Sequence, residues 1–559
     1  MARWPPAIIL VLTAVVFFVV MPRTPPDWSY QVLLLCLLVA AGAARALAGY
    51  RPSSGGAALP RWWRYAVYPT IAAAAVLTYA PGLKAGFLAD DHILALAMSE
   101  VDGLLEALRS PVFKCFYRPA TLLVWWAGTR LWEGASLGYD VVNVALQAGN
   151  AVLVYLVGRR LMHSDYGGAV AALVFAVHPL HVEPVLGPAC MSDLLTTMFC
   201  LLSLLSLEWY LGGETRVGRA AALAGALGAF LLALLNKEPA VALPGFVLLR
   251  LGLSAGKVGW KRVVGAVGAY GLVVIAYLAM RVSALGGLGG YSMALTFWNT
   301  AFPSQPLRQI GIFFFPVHRG LFETVLHPWF MGASMAMMAW LVLWCMGGLV
   351  HVPGRRLWLW VGYVFVMAAT LWFLTHYVSG HFQDTRFAYL PTVGLAWLFG
   401  DICASRGVGW RRSGAVATAA VIGAAALTVW YITPWWEADR IARKVMAETE
   451  RVVEELPEAR GGVVLYAVDV PREYLGAPVF VTGYPEAVPM RFGEDVVAYA
   501  VAGIGDAPGG EFRVPIEELE RMALTSDEYV VAWEEESERL EVVRRGELPA
   551  GAGVRGGPR

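Results

Sequence analysis

The chain runs to 559 residues, of which 58% are hydrophobic and 15% charged. An ordinary soluble protein carries about 25% charged residues, so the composition excludes a typical soluble enzyme, a disordered chain and a nucleic-acid binder. What is left is a polytopic membrane protein, provided the apolar residues come in membrane-length blocks. The net charge of +1 conceals a split: up to Pro434 there are 29 Lys+Arg against 17 Asp+Glu, and from Trp435 onward 14 against 25. A membrane part with basic loops and an acidic, solvated part are implied.

Apolar blocks fall near 7–21, 30–47, 65–83, 140–158, 166–183, 189–211, 218–236, 239–254, 263–281, 329–350, 357–377, 386–403 and 413–433. No small-x-small cleavage site follows Val20, so the first block reads as an anchor rather than a leader. The block 118–134 is bracketed by Arg118, Arg130 and Glu133. The six cysteines form no CxxC pair and mostly lie in apolar stretches, which favours buried thiols over disulfides or a zinc site.

Short-loop Lys and Arg set the orientation. Arg45, Arg51, Arg61 and Arg64, then Arg159 and Arg160, Arg216 and Arg219, Lys257, Lys261 and Arg262, Arg355 and Arg356, and Arg406, Arg411 and Arg412 share the inner side only if 118–134 does not cross. The reading is therefore 13 spans, with the N-terminus in, the C-terminus out, and 118–134 interfacial or re-entrant.

That orientation brings four polar clusters to outer ends of spans. Asp90-Asp91 closes the third span; adjacent carboxylates suit proton abstraction or metal binding, while the plain alternative is a helix cap. His178-Pro-Leu-His181-Val-Glu183 ends the fifth span, with Asp193 opening the next. Pro179 breaks the turn between the histidines, so hydrogen bonding to substrate suits them better than metal ligation. Asn236-Lys237-Glu238-Pro239 interrupts two spans; ionisable residues at that depth generally face a cavity, against the alternative of a Lys–Glu pair capping a turn. Asp384-Thr-Arg386-Phe-Ala-Tyr389-Leu-Pro391 opens the twelfth span. Arg386 there can snorkel to headgroups or clamp a phosphate with its planar fork. Tyr117-Arg118-Pro119, at the start of the interfacial block, offers either an anchor or an Arg for a lipid phosphate. The glycine-rich Gly286–Gly290 stretch has no following Lys-Ser/Thr and reads as a flexible loop, not a P-loop.

In this order the pieces resemble the membrane glycosyltransferases of the GT-C superfamily. The nearest likeness is to the transmembrane O-mannosyltransferases that carry tetratricopeptide repeats and to their prokaryotic relatives, over residues 65–403. Three departures stand out. The spans 7–21 and 30–47 look like an added hairpin, position 192 is Ser where an Arg or Lys is expected, and no 34-residue helical repeat follows the last span. The organisation read from the sequence is an extra N-terminal hairpin and basic loop over 1–64, a GT-C-like catalytic domain over 65–434 with a large outer loop 84–139, a small soluble α/β or β-rich extracytoplasmic domain over 435–545, and a disordered tail over 546–559. An amphipathic helix is expected over 437–457. Strands are expected at Val463–Val468, Pro478–Thr482, Val496–Val501, Tyr529–Trp533 and Leu540–Val543.

The resemblance implies a polyprenyl-phosphate-linked sugar as donor, mannose or a similar hexose, used at the outer or lumenal face on a protein, glycolipid or glycan hydroxyl. Asp91 or Asp90 would be the base, with Asp91 favoured. Arg386, Lys237 and Arg118 would hold the donor phosphate, while His178, His181, Glu183, Asp193, Glu238, Tyr117 and Tyr389 would position substrate. Some members of the superfamily use a divalent ion (Mg or Mn) and others do not, so no cofactor is required; a metal would fall to Asp90, Asp91, His181 and Glu183. A prokaryotic plasma membrane is expected, an ER membrane being the alternative. A lipid flippase and a non-catalytic scaffold are the rival readings. The first calls for charges near span centres and inverted repeats, which are not evident.

Overall fold

The computed structural model describes residues 61–110, 116–254, 259–289, 313, 316, 344–345, 348–369, 384–405, 410–456, 462–502, 513–515, 519 and 527–543. The expected spans 7–21 and 30–47, nearly all of 329–350 and the tail 546–559 lie outside the described residues. Seven helices in the described part are long and apolar enough to cross a membrane, or eight if one bent pair counts as a span, so the chain is a helical integral membrane protein. The helix Pro119–Trp132 has 14 residues and is not among the seven; at 1.5 Å per residue it reaches about 21 Å, short of a bilayer's roughly 30 Å. The expected span 239–254 is a five-residue 3-10 turn, Glu238–Ala242, followed by a ten-residue helix, Leu243–Gly252, and does not pass as a span either.

The described residues fall into two compact units. The first takes those up to Leu83, Leu108–Leu123 and Leu137–Thr433; the second takes Lys84–Ala107, Val124–Ser136 and those from Pro434 on. Much of the outer loop expected to belong with the membrane domain therefore groups with the C-terminal region.

The first unit is a bundle built around the helices Asp165–Ala176 and Tyr389–Ala404, both almost wholly buried. Their backbones meet at glycines: a Cβ on Gly400 would stand 2.3 Å from the Gly167 carbonyl oxygen. Small residues permit such close helix packing where lipid supplies no hydrophobic drive. The expected fifth span is not one straight helix. It bends by 51° between Ala176 and Pro179, because a proline cannot donate to the preceding turn. The carbonyls freed there are each taken by a side chain from elsewhere in the bundle. Gln147 Nε2 donates to the Phe175 and Ala176 oxygens at 3.0 and 3.1 Å, Thr428 Oγ1 to Val177 O at 2.7 Å, and Tyr79 OH to His178 O at 2.8 Å. Without such partners each carbonyl at this depth would cost several kcal/mol.

The second unit contains a five-stranded sheet in the order β5-β4-β1-β6-β7. Strands β1 (Val463–Val468), β4 (Val496–Ala502), β5 (Arg513–Pro515) and β6 (Glu528–Glu534) run parallel, and β7 (Arg539–Val542) is antiparallel to β6. The apolar runs of β1 and β6 pack on one core with Tyr466, Val468, Leu519, Val530 and Ala532. A separate two-residue hairpin pair, β2 (Glu473–Tyr474) and β3 (Ala477–Pro478), stands where a strand through Thr482 is expected; the chain turns at Gly483 into the helix Tyr484–Phe492 instead. The amphipathic helix is Thr433–Glu455.

Candidate functional site

In the first unit the Asn-Lys-Glu-Pro sequence ends one helix and starts the next turn. After Arg216–Leu234, Lys237 takes an extended backbone (φ −159°, ψ 145°), and Pro239 sits in the first turn of the 3-10 segment, where its missing N–H costs nothing. Asn236 Nδ2 donates to Leu232 O at 2.7 Å, and its Oδ1 accepts from Thr121 at 2.9 Å. This geometry sends Lys237 to Asp193 in the first turn of the Met191–Gly212 helix, with Nζ 2.6 Å from Oδ2 and only 5% and 10% of the two side chains exposed. The pair formed is Lys237–Asp193, not Lys237–Glu238.

Glu238 is held by two arginines instead. Arg118 Nη2 lies 3.0 Å from its Oε2 and Arg281 Nη1 lies 2.8 Å from its Oε1. Burial by itself would raise the Glu238 carboxyl, but the two guanidiniums outweigh it and bring the pKa down to about 2. Arg281 also donates to Tyr277 OH at 3.0 Å and to Leu288 O. Arg118 lies over the Phe116 ring at 4.3 Å, and Tyr117 between them is half-buried.

Glu183 and Arg386 form the third element. Glu183 Oε2 accepts from Thr385 Oγ1 at 3.0 Å and from the Arg386 backbone N–H at 3.1 Å. The Arg386 guanidinium is held more loosely, 3.6 Å from Glu183 Oε1 and 3.4 Å from Asp384 Oδ1, with 27% of its side chain exposed.

Asp193, Lys237 and Arg386 line one narrow cleft with Thr196, Pro239, Met367, Phe387, Leu390 and Pro391. Phe387 lies between the cations, its ring centre 5.1 Å from Lys237 Nζ and 5.4 Å from Arg386 Cζ. The arrangement is one carboxylate and two cations on an apolar wall, suited to an anionic group on an apolar carrier.

Three other expected site residues, His178, His181 and Tyr389, make contacts within the bundle. His178 stacks on Phe313 at 4.4 Å, its Nε2 is 3.1 Å from Phe313 O, and its Nδ1 accepts from Leu180 N–H. His181 is fully buried, with Nδ1 2.9 Å from Phe175 O and Nε2 2.9 Å from Thr392 Oγ1. Tyr389 OH donates to Gln147 Oε1 and accepts from Asn150 Nδ2 at 3.1 Å. These three side chains stabilise the bent helix, and His181 has no ring nitrogen left for a metal. Among the described residues, no group of three or more His, Cys, Asp or Glu could hold a metal ion.

Asp90 and Asp91 belong to the second unit, in the first turn of the helix Asp90–Ser99. Asp91 is buried, and its Oδ2 accepts from Leu88 N–H at 2.9 Å. Asp90 is half-buried, and its Oδ1 accepts from Thr482 Oγ1 at 2.5 Å. His92, on the next position, packs on Phe87 and Phe480; burial holds its imidazole down to about 4, so it is neutral at physiological pH.

Two residues escaped the sequence reading. Arg281 ends the apolar block 263–281, and an arginine inside a span is itself a signal of a buried partner. Gln147 lies mid-span, where an amide needs partners of its own.

The chain is similar to known membrane glycosyltransferases. No protein-family model matches it. Protein O-mannosyl-transferase F38B6.6 of Caenorhabditis elegans is 36% identical over 92 residues, 16% of this chain and 13% of that protein. Protein O-mannosyl-transferase Tmtc1 of Drosophila melanogaster is 34% identical over 146 residues (24% and 17%), and TMTC4 of Homo sapiens is 39% identical over 103 residues (16% and 14%). The chain thus spans between 13% and 17% of the length of these curated relatives. Among solved structures, the oligosaccharyltransferase of Archaeoglobus fulgidus in complex with Zn and sulfate aligns with a TM-score of 0.49 at 13% identity, over 83% of this chain and 67% of that one. ArnT from Cupriavidus metallidurans bound to undecaprenyl phosphate gives 0.38 at 13% identity, over 85% and 93%.

Proposed function

We propose that the chain is a glycosyltransferase that moves a hexose, mannose or a close relative, from a polyprenyl monophosphate to an acceptor hydroxyl outside the membrane or in a lumen. The observation that carries this reading is the cleft where Lys237 and Arg386, from segments far apart in sequence, face one apolar wall beside Asp193. The local likeness to the O-mannosyl-transferases supplies the reaction class.

The roles follow from how tightly each cation is held. Lys237 is tied to Asp193 at 2.6 Å, whereas Arg386 makes longer contacts and keeps part of its side chain exposed. Arg386 is therefore the group assigned to the donor phosphate, with Lys237 beside it. Arg118 is engaged by Glu238 and is assigned to holding that turn. The acceptor oxygen attacks the anomeric carbon as the bond to the phosphate oxygen breaks. The electron pair leaves with polyprenyl phosphate, and a single displacement inverts the centre. The acceptor's proton goes to a carboxylate, for which the motif likeness nominates Asp90 or Asp91. Asp90 is the better choice, because it is half-buried whereas Asp91 is buried. No divalent ion is needed for these steps.

The test uses the full chain in the membranes that express it, with mannose-labelled polyprenyl phosphate as donor and the native acceptors present. Asp90→Asn and Asp91→Asn are assayed separately for transfer of label. A large loss in one or both is expected; full activity in both sinks the assignment.

A further inference from the structure

The turn that presents Asp90 and Asp91 is held by the C-terminal region within the same unit. Its last residue, Ala89, has φ 45° and ψ −119°, a backbone conformation an L residue adopts only when its surroundings impose it. Ala89 N–H donates to Val479 O at 3.0 Å. Gly483 (φ +86°) lies against the Ala89 carbonyl so closely that a Cβ there would stand 2.1 Å from its oxygen. Thr482 Oγ1 donates to Asp90 Oδ1, and the Phe480 ring covers His92 with centroids 5.8 Å apart. Upstream, Gly86 N–H donates to Asp439 Oδ1 at 3.0 Å. The strained residue, the carboxylate beside it and the following histidine are thus each met by one of five consecutive residues, Val479–Gly483.

We propose that Val479–Gly483 is a clamp that fixes the Asp90 carboxylate, with Thr482 as its positioning residue. The inference rests on the reading that the Asp90–Asp91 pair accepts the acceptor's proton. A hydroxyl donating to one carboxylate oxygen fixes the side-chain torsion and with it the aim of the carboxylate. Small errors of aim at a reacting group are costly, with displacements near 1 Å reaching about 100-fold in rate. The C-terminal region then has a task that its sequence, without any catalytic motif, does not advertise.

The experiment compares Thr482→Val, Thr482→Ser and Gly483→Ala in the full chain in expressing membranes, with mannosyl polyprenyl phosphate at varied concentration. Hydrogen exchange over residues 84–99 is followed alongside, and Asp90→Asn and Asp91→Asn serve as controls. Thr482→Val is expected to lower kcat by about 10- to 100-fold with donor KM unchanged, and Thr482→Ser to restore most of it. Gly483→Ala is expected to speed exchange over 84–99. Wild-type kcat in Thr482→Val while the Asp→Asn variants are inactive overturns the clamp alone, as does a serine variant no better than valine or unchanged exchange in Gly483→Ala. Full activity in both Asp→Asn variants overturns the proton-acceptor reading and the clamp with it.

Discussion

Three ion pairs of the first unit contrast with three along one helix of the second. In the first, Lys237–Asp193, Arg118–Glu238 and Arg281–Glu238 join residues 44, 120 and 43 positions apart, and every cation is at most 11% exposed. In the second, the helix Thr433–Glu455 carries Arg440–Glu437, Lys444–Glu448 and Arg451–Glu455, three or four residues apart, with the cations 38–48% exposed. Desolvation makes the first kind costly to form and more costly to break, because a lone charge is then left behind. The second kind sits in water and adds little. Equal chemistry therefore ties distant segments together in one region and lines a solvated helix face in the other.

The contrast can be broken at its strongest point. Lys237→Met is expected to destabilise the first unit by about 3–5 kcal/mol, read as a fall in thermal midpoint in detergent. Adding Asp193→Asn in the same chain recovers part of the loss, and a Lys237→Met melt equal to wild type refutes the buried pair. Arg386→Lys keeps the charge but loses the planar fork; transfer from mannosyl polyprenyl phosphate is expected to drop by about 10- to 100-fold, and wild-type rates would remove Arg386 from the phosphate.

Acid sharpens the comparison, because the two units respond in different windows. His92 is kept neutral, with its pKa at about 4 against an ordinary 6.5. The unfolded chain takes up a proton that the fold refuses, so stability of the second unit falls between pH 6.5 and 4. His92→Phe should flatten that slope in hydrogen exchange over 84–99. Glu238 is displaced downward to about 2 from 4.5. Its contribution is complete above pH 4.5 and is lost as pH falls toward 2, so Glu238→Gln should weaken the first unit near neutrality and show a shallower acid decline. The smallest effect is expected at Glu455→Gln, which breaks a pair with Arg451 that is 63% exposed on the acidic side. A change within about 0.5 kcal/mol is expected, and a larger one would show that the helix face is not simply solvated.

Much of the architecture was legible because its cause is local. Membrane-length apolar blocks appear as helices at Tyr65–Lys84, Ser136–Met162, Pro188–Gly212, Arg216–Leu234, Trp260–Leu285 and Thr385–Ala404. Strand runs at 463, 496, 529 and 540 appear as β1, β4, β6 and β7. In two segments a proline competes with hydropathy: 166–183 bends at Pro179 and still qualifies as one broken span, and 239–254 is shortened by its opening 3-10 turn.

The candidate site was legible as residue types but not as partners. Glu183, Asp193, Lys237, Glu238 and Arg386 stood out because charge is scarce in an apolar chain. Whether Lys237 would meet Asp193 or Glu238, and that Arg281 would join Arg118 on one carboxylate, depended on packing among helices distant in sequence. His178 and His181 were expected to hydrogen-bond substrate, and their ring nitrogens lie against carbonyls and a hydroxyl near a helix bend. The sequence by itself determined the apolar blocks, the split of charge and the short list of polar residues, since hydropathy and charge are properties of each residue alone. Only the tertiary structure decided which cations share a cleft and which segment holds Asp90, since a buried polar group takes its partner from whatever the fold brings within about 3 Å.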